Sequence, residues 1–196
     1  MWTRQFFGTD FYHLVAAFIV YSILGWFVES VYMSVCNRRL TNRGFSFCPF
    51  CPIYGFGGIL GFMILRPLMT DVIKLYVCGA IIATVFEYFV AVLMNRLFGE
   101  VWWDYHDKPF NYKGVICLES TIAWGFYAVI IVRFLHAKVI GFVDSINPAM
   151  GIQVIKIIFV IVTVDYVYHL VKAFGVDVEE YRKKAVAIYR DIRTKW

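Results

Sequence analysis

Long apolar runs alternate along this chain with short stretches in which most of its charge collects. A helix needs about 20 apolar residues to cross the hydrocarbon of a bilayer. Five runs approach that length, at approximately 11 to 35, 46 to 65, 75 to 95, 115 to 133 and 150 to 172. The pattern predicts an all-α integral membrane protein with about five transmembrane helices. The second run is the least regular, because Pro49 and Pro52 break its first turn and only Ile53 to Leu65 is clean, which also suits a re-entrant segment. Gly57 and Gly61 within it have the spacing that lets another helix approach closely. Past the last run the pattern changes. Val178, Tyr181, Ala185, Ile188, Ile192 and Trp196 recur at three- and four-residue steps among basic residues. Residues 176–196 therefore read as an amphipathic basic tail helix, lying on anionic lipid or docking a cytoplasmic partner, behind a transmembrane domain spanning 1–175.

An acid interrupts the first run at Glu29 and the third at Glu87, and their surroundings match. Each is followed by a charged, aromatic loop and then by a glycine that precedes an aromatic-Gly-Phe triplet by ten residues. Gly44 leads to Tyr54-Gly55-Phe56, and Gly114 leads to Trp124-Gly125-Phe126. This predicts two tandem parallel helix-pair repeats, about 11–65 and 75–133, with the fifth span at 150–172 unpaired. In the second copy the glycine follows the acid by 27 positions, where in the first it follows by 15.

Composition narrows the class further. The chain of 196 residues is 61% hydrophobic and 19% aromatic, with a mean hydropathy of +0.67. Spans and connections leave no room for a soluble catalytic or nucleotide-binding domain. The phosphate loop, the dinucleotide fingerprint, the zinc-protease helix and the nucleophile elbow are all missing, so enzyme readings lose support and any ATP must come with a partner. Lysine and arginine favour an outside N-terminus and a cytoplasmic C-terminus, with thirteen on one side against five on the other. The first run lacks a small-residue cleavage site and is expected to persist as a span of a multi-pass protein of the cell (plasma) membrane. A net charge of +5 suits anionic lipid, and the basic face is too short for nucleic acid.

A charge at the bilayer centre costs about 2.5 to 3.5 kcal/mol even on the mildest scale, so buried acids mark candidate chemistry. In this topology Glu29, Glu87, Glu119 and Asp165 all fall within about 6 to 12 Å of the cytoplasmic boundary at 1.5 Å per residue. They are expected to line one inward-facing cavity for a cation, a proton or a cationic solute. His169, four residues after Asp165, shares its helix face. The alternative is that each acid pairs with a neighbouring arginine or with a hydroxyl such as Tyr21, Tyr32, Tyr88 or Tyr166. The loop from Trp102 to Gly114 reads as an interfacial aromatic belt, or as a lid or gate with Trp103, Asp104, His106 and Asn111 over the acids. Cys48 and Cys51 form a lone CxxC, a weak metal candidate that needs Cys36 and Cys117 as further ligands.

Three strings carry a resemblance: Gly25-Trp-Phe-Val-Glu29-Ser30, then Arg43-Gly44-Phe45 with Cys51-Pro52-Ile53-Tyr54-Gly55, and Trp103-Asp104-Tyr105 through Pro109-Phe110-Asn111 to Gly114-Val-Ile-Cys117-Leu118. They resemble the bacterial ABC-transporter type IV, or CmpB-like, membrane family over roughly residues 10 to 135. His106-Asp107-Lys108 and Glu119 depart from its pattern. The resemblance implies a small transport or permease component, partnered by the bilayer and by an ATPase or other membrane subunit, in an oligomer or alone. A metal-dependent lipid-handling membrane enzyme and a non-catalytic accessory or scaffold subunit are the alternatives. The sequence names neither a substrate nor a cofactor.

Overall fold

A computed structural model describes residues 2–6, 8–42, 46–98 and 103–173. The expected tail helix over 176–196, together with Arg43 and Gly44 of the repeat pattern, lies outside the described residues. A short hairpin of β1 (Gln5–Phe6) and β2 (Thr9–Asp10) leads into α1 (Phe11–Asn37). The Asp10 carboxylate accepts from the His13 N–H at 2.9 Å and so satisfies one of the donors a helix start leaves open. α2 (Pro52–Leu65) begins on proline, whose missing N–H costs nothing in a first turn, and a 3-10 turn at Arg66–Leu68 extends it. There follow α3 (Val72–Phe98), a hairpin of β3 (Asn111–Tyr112) and β4 (Ile116–Cys117), and α4 (Leu118–Ile130). A π-helical stretch, Ile131–Leu135, joins α4 without a break to α5 (His136–Asp144), and α6 is Pro148–Ala173.

The molecule is an all-α membrane protein. Phe11–Asn37, Val72–Leu97, Leu118–Asp144 and Pro148–Lys172 are long and apolar enough to cross a membrane, and Pro52–Leu68 is a shorter apolar helix. Two expected boundaries move. Residues 46–51 are not helical, because in a helix begun at residue 46 Pro52 would fall beyond the first turn with no N–H for the residue 48 carbonyl, and each proline disfavours helical backbone in the residue before it. The fourth run starts at Leu118 and continues to Asp144, since Arg133, His136 and Lys138 interrupt hydropathy but not helix geometry.

Lipid tails are as apolar as leucine, so these helices associate through close packing and polar bonds. α1 with α2, and α3 with α4, make the main antiparallel pairs. In the first pair a Cβ on Gly25 would strike the Tyr54 ring, one on Gly55 would lie 2.6 Å from Phe18, and one on Gly58 would lie 2.8 Å from Tyr21. In the second, a Cβ on Gly125 would lie 2.6 Å from Tyr76, and one on Gly79 would strike Ala128. Gly57 and Gly61 are not the tight positions, for a Cβ would meet only Phe86 at 3.8 Å in the one case and nothing within 4 Å in the other.

The long helix Leu118–Asp144 changes partner along its length. Its α4 part lies on α3 and its α5 part lies on α1, and the changeover falls at the π-helical stretch, where an extra residue in the turn redirects a helix. Just beyond it, His136 Nδ1 lies 2.9 Å from the Tyr21 hydroxyl, and its ring stacks on Phe62 at 3.4 Å. Further along, Val143 packs with Tyr12, Ala16, Ile19, Phe50 and Ile155.

Residues 46–51 fold back between the helices. The Cys51 N–H donates to the Ser22 carbonyl at 3.1 Å, well inside α1, and the Tyr166 hydroxyl donates to the Phe50 carbonyl at 3.1 Å. The N–H groups of Phe47 and Cys48 donate to the Asp165 carboxylate at 3.4 and 2.7 Å. Non-helical backbone packed among apolar helices persists only when the protein itself bonds its polar groups.

Two stability outcomes follow. Gly55→Leu will lower the melting temperature through overpacking, on the order of 1–3 kcal/mol, while Gly61→Leu will leave it nearly unchanged in the same detergent. Asp165→Ala will destabilise the chain by about 1–3 kcal/mol and speed maleimide labelling of Cys48 relative to wild type. Asp165→Asn, which keeps an acceptor oxygen, will recover most of the loss.

Candidate functional site

Glu87, midway along α3, is only 6% exposed. Its Oε1 accepts from the Tyr105 hydroxyl at 3.1 Å, and its Oε2 lies 2.9 Å from Trp124 Nε1 and 3.2 Å from Ser120 Oγ. The start of α4 sets this arrangement. Cys117 and Ser120 form a reciprocal cap that fixes the first turn, which brings Ser120, and Trp124 four residues later, onto the side facing α3. Nearby, the Thr84 and Thr121 hydroxyls join at 2.9 Å. All three donors on Glu87 are neutral, and no lysine, arginine or histidine among the described residues pairs with it.

Glu29, on α1, accepts a hydrogen bond from the Tyr54 hydroxyl at the start of α2. The contact depends on Gly25, which leaves the space that the Tyr54 ring occupies one turn earlier on α1. Tyr105 is bonded to Glu87 and not to Glu29. Burial foremost, then the charge of Glu87 and more weakly that of Glu29, push its phenol well above the usual range.

The loop that carries Tyr105 is built by its own polar residues. The Tyr105 N–H donates to the Gly114 carbonyl at 2.8 Å, and Trp103 Nε1 donates to Val115 at 2.9 Å. Asn111 donates to the carbonyls of Lys108 and His106 at 2.9 and 3.2 Å and accepts from the Gly114 N–H at 3.1 Å. Gly114 sits at φ 69°, a left-handed conformation that suits glycine, and a Cβ there would also strike the His106 ring. Asp104 accepts from the backbone N–H and ring of His106, and these bonds hold its carboxyl below the usual range. Asp104, His106 and Asn111 therefore shape an exposed loop, and Tyr105 is the residue it turns inward.

The remaining candidates lie apart from this cluster. Glu119 pairs with Lys108 at 2.8 Å on the exposed rim, and that hydrogen bond raises the lysine's affinity for its proton. Such surface pairs carry little energy. Asp165 and His169 approach to 3.2 Å, but Asp165 is committed to the backbone of residues 47 and 48, and His169 lies against the Phe47 ring at 4.6 Å. Cys117 is buried as the α4 cap and Cys36 is exposed. No group of three His, Cys, Asp or Glu side chains suited to a metal occurs among the described residues, so Cys48 and Cys51 gain no further ligands there.

Sequence reasoning passed over Tyr54, Tyr105, Ser120 and Trp124 as partners of the acids. Tyr54 and Trp124 were visible as the aromatic positions of the repeated triplet, and a cap three residues before Ser120 hints at its direction. Tyr105 carries no local signal that separates it from its polar neighbours.

Comparison with known proteins agrees with the strings quoted above. The family model described as Putative ABC-transporter type IV matches residues 16–170, which include both acids, all four of their partners and the non-helical segment 46–51. No curated protein and no solved structure matches the chain. With most of its length under that match, the chain belongs to the Putative ABC-transporter type IV family.

Proposed function

We propose that this protein is a membrane transport component in which Glu29 and Glu87 bind a proton or small cation on the cytoplasmic side. The observation that carries the reading is the environment of Glu87: a buried carboxylate with three neutral donors and no cationic partner among the described residues. Neutral donors orient an ionised carboxylate without cancelling its charge, so a cation or proton arriving from solution completes the site. Glu119 and Asp165 play supporting parts, because Lys108 and the backbone of residues 47 and 48 already occupy them. The 103–114 loop gates the site through Tyr105, whose hydroxyl competes with the incoming ion for Glu87.

The proposed topology has five crossings, with Pro52–Leu68 as a short one, an outside N-terminus and a cytoplasmic C-terminus. The two helix pairs are read as parallel copies. Their contacts support this: Glu29 meets Tyr54 as Glu87 meets Trp124, Phe18 faces Gly55 as Tyr76 faces Gly125, and Tyr21 faces Gly58 as Gly79 faces Ala128. In every case the first-helix residue shifts by 58 positions and the second-helix residue by 70, so the whole difference in spacing falls in the loop. A partner subunit brings any ATPase activity.

The test uses the full chain in vesicles containing a pH-sensitive dye, under an imposed potential. Wild type will move protons, and Glu29→Gln with Glu87→Gln will reduce movement to the level of protein-free vesicles while keeping its melting profile. Normal movement in that double variant sinks the assignment. Tyr105→Phe will move the pH profile of transport upward, because losing a donor disfavours the ionised carboxylate.

A further inference from the structure

At the start of α1, His13 stands between two carboxylates from different elements. Its Nδ1 lies 2.8 and 2.9 Å from the two oxygens of Asp10 on β2, and its Nε2 lies 2.9 Å from Oδ1 of Asp144, the last residue of α5. A neutral imidazole has one N–H and one lone pair, so one carboxylate would face a lone pair across hydrogen-bond distance. The imidazolium donates to both. We propose that His13 is a second proton-binding site, and that the proton it takes up latches α1 to the end of α5, about 24 Å along α1 from Glu29.

The surroundings suit a latch. Asp10 from β2 and Asp144 from α5 are the charged groups that face the imidazole, Tyr12 beside it on α1 is the other titratable neighbour, and α6 presents Gly151 to that tyrosine. No lysine or arginine among the described residues pairs with either carboxylate. The next residue inward on α5, Val143, is buried against Tyr12, Ala16 and Ile19, so the latch closes over a packed contact. Because α5 continues from α4, which lies on α3, this bond ties the first helix pair to the far end of the second. Proton uptake forms one N–H bond on the ring and joins the two carboxylates through it. Proton loss leaves a lone pair against one of them and opens that link.

The experiment compares wild type, Asp144→Asn and His13→Gln as full chains in nanodiscs, at about pH 5.5 and about pH 8.5, on either side of the histidine range. Asp144 is 60% exposed in its side chain, which makes Asp144→Asn a mild change to the fold. Wild type will melt several degrees above both variants at the acid pH, where imidazolium and carboxylates coexist, and the gap will close at the alkaline pH. A gap equal at both pH values, wider at the alkaline one, or absent at both overturns the proposal. Nitrogen NMR of the histidines, with the His13 signal identified by its loss in His13→Gln, will find both ring nitrogens protonated at the acid pH. A singly protonated His13 there also overturns it. Neither readout involves transport, so failure of the Glu29 and Glu87 reading leaves this result standing, and the reverse holds.

Discussion

An acid carried on an apolar helix needs donors from elsewhere in the protein, and Glu29, Glu87 and Asp165 each draw theirs from a neighbouring segment. Glu87 sits on α3 and takes its donors from the 103–114 loop and from α4. Glu29 sits on α1 and takes one from α2, and Asp165 sits on α6 and takes two from the backbone of residues 47 and 48. Each acid thus ties its own helix to another segment. Such ties matter because contact between apolar helix faces gains little where lipid already surrounds them.

Close packing supplies the rest. Gly25, Gly55 and Gly58 draw α1 and α2 together against aromatic rings, and for α3 and α4 Gly125 meets the Tyr76 ring and Gly79 meets Ala128. The π-helical stretch then carries the end of the second pair across to α1, where Tyr21 and Phe62 hold His136. One place where the pairs meet is polar, with His13 between Asp10 and Asp144. Membership of the family makes transport the natural frame for this bundle.

The local grammar of the chain was legible in its sequence. Hydropathy found the apolar helices, Pro49 and Pro52 marked the segment that does not become helix, and Glu29 and Glu87 stood out because charge inside an apolar run is costly. The aromatic-Gly-Phe triplets held the residues that meet those acids, although their role was hidden. These features are legible because span length, proline breaks and charge cost act on a few consecutive residues.

Partnership was decided by tertiary structure. Asp165 keeps the companion expected of it, His169 at 3.2 Å, and also holds the Cys48 backbone N–H, 117 residues away. In the loop, Asp104, His106 and Asn111 seemed equal candidates until folding turned them to the loop itself and Tyr105 to Glu87. His13 and Asp144 lie 131 residues apart, and the helix that ends at Asp144 passes beyond the point where hydropathy places its end. A hydrogen bond depends on two groups meeting within about 3 Å, and sequence distance carries no information about that meeting once the chain has crossed back on itself.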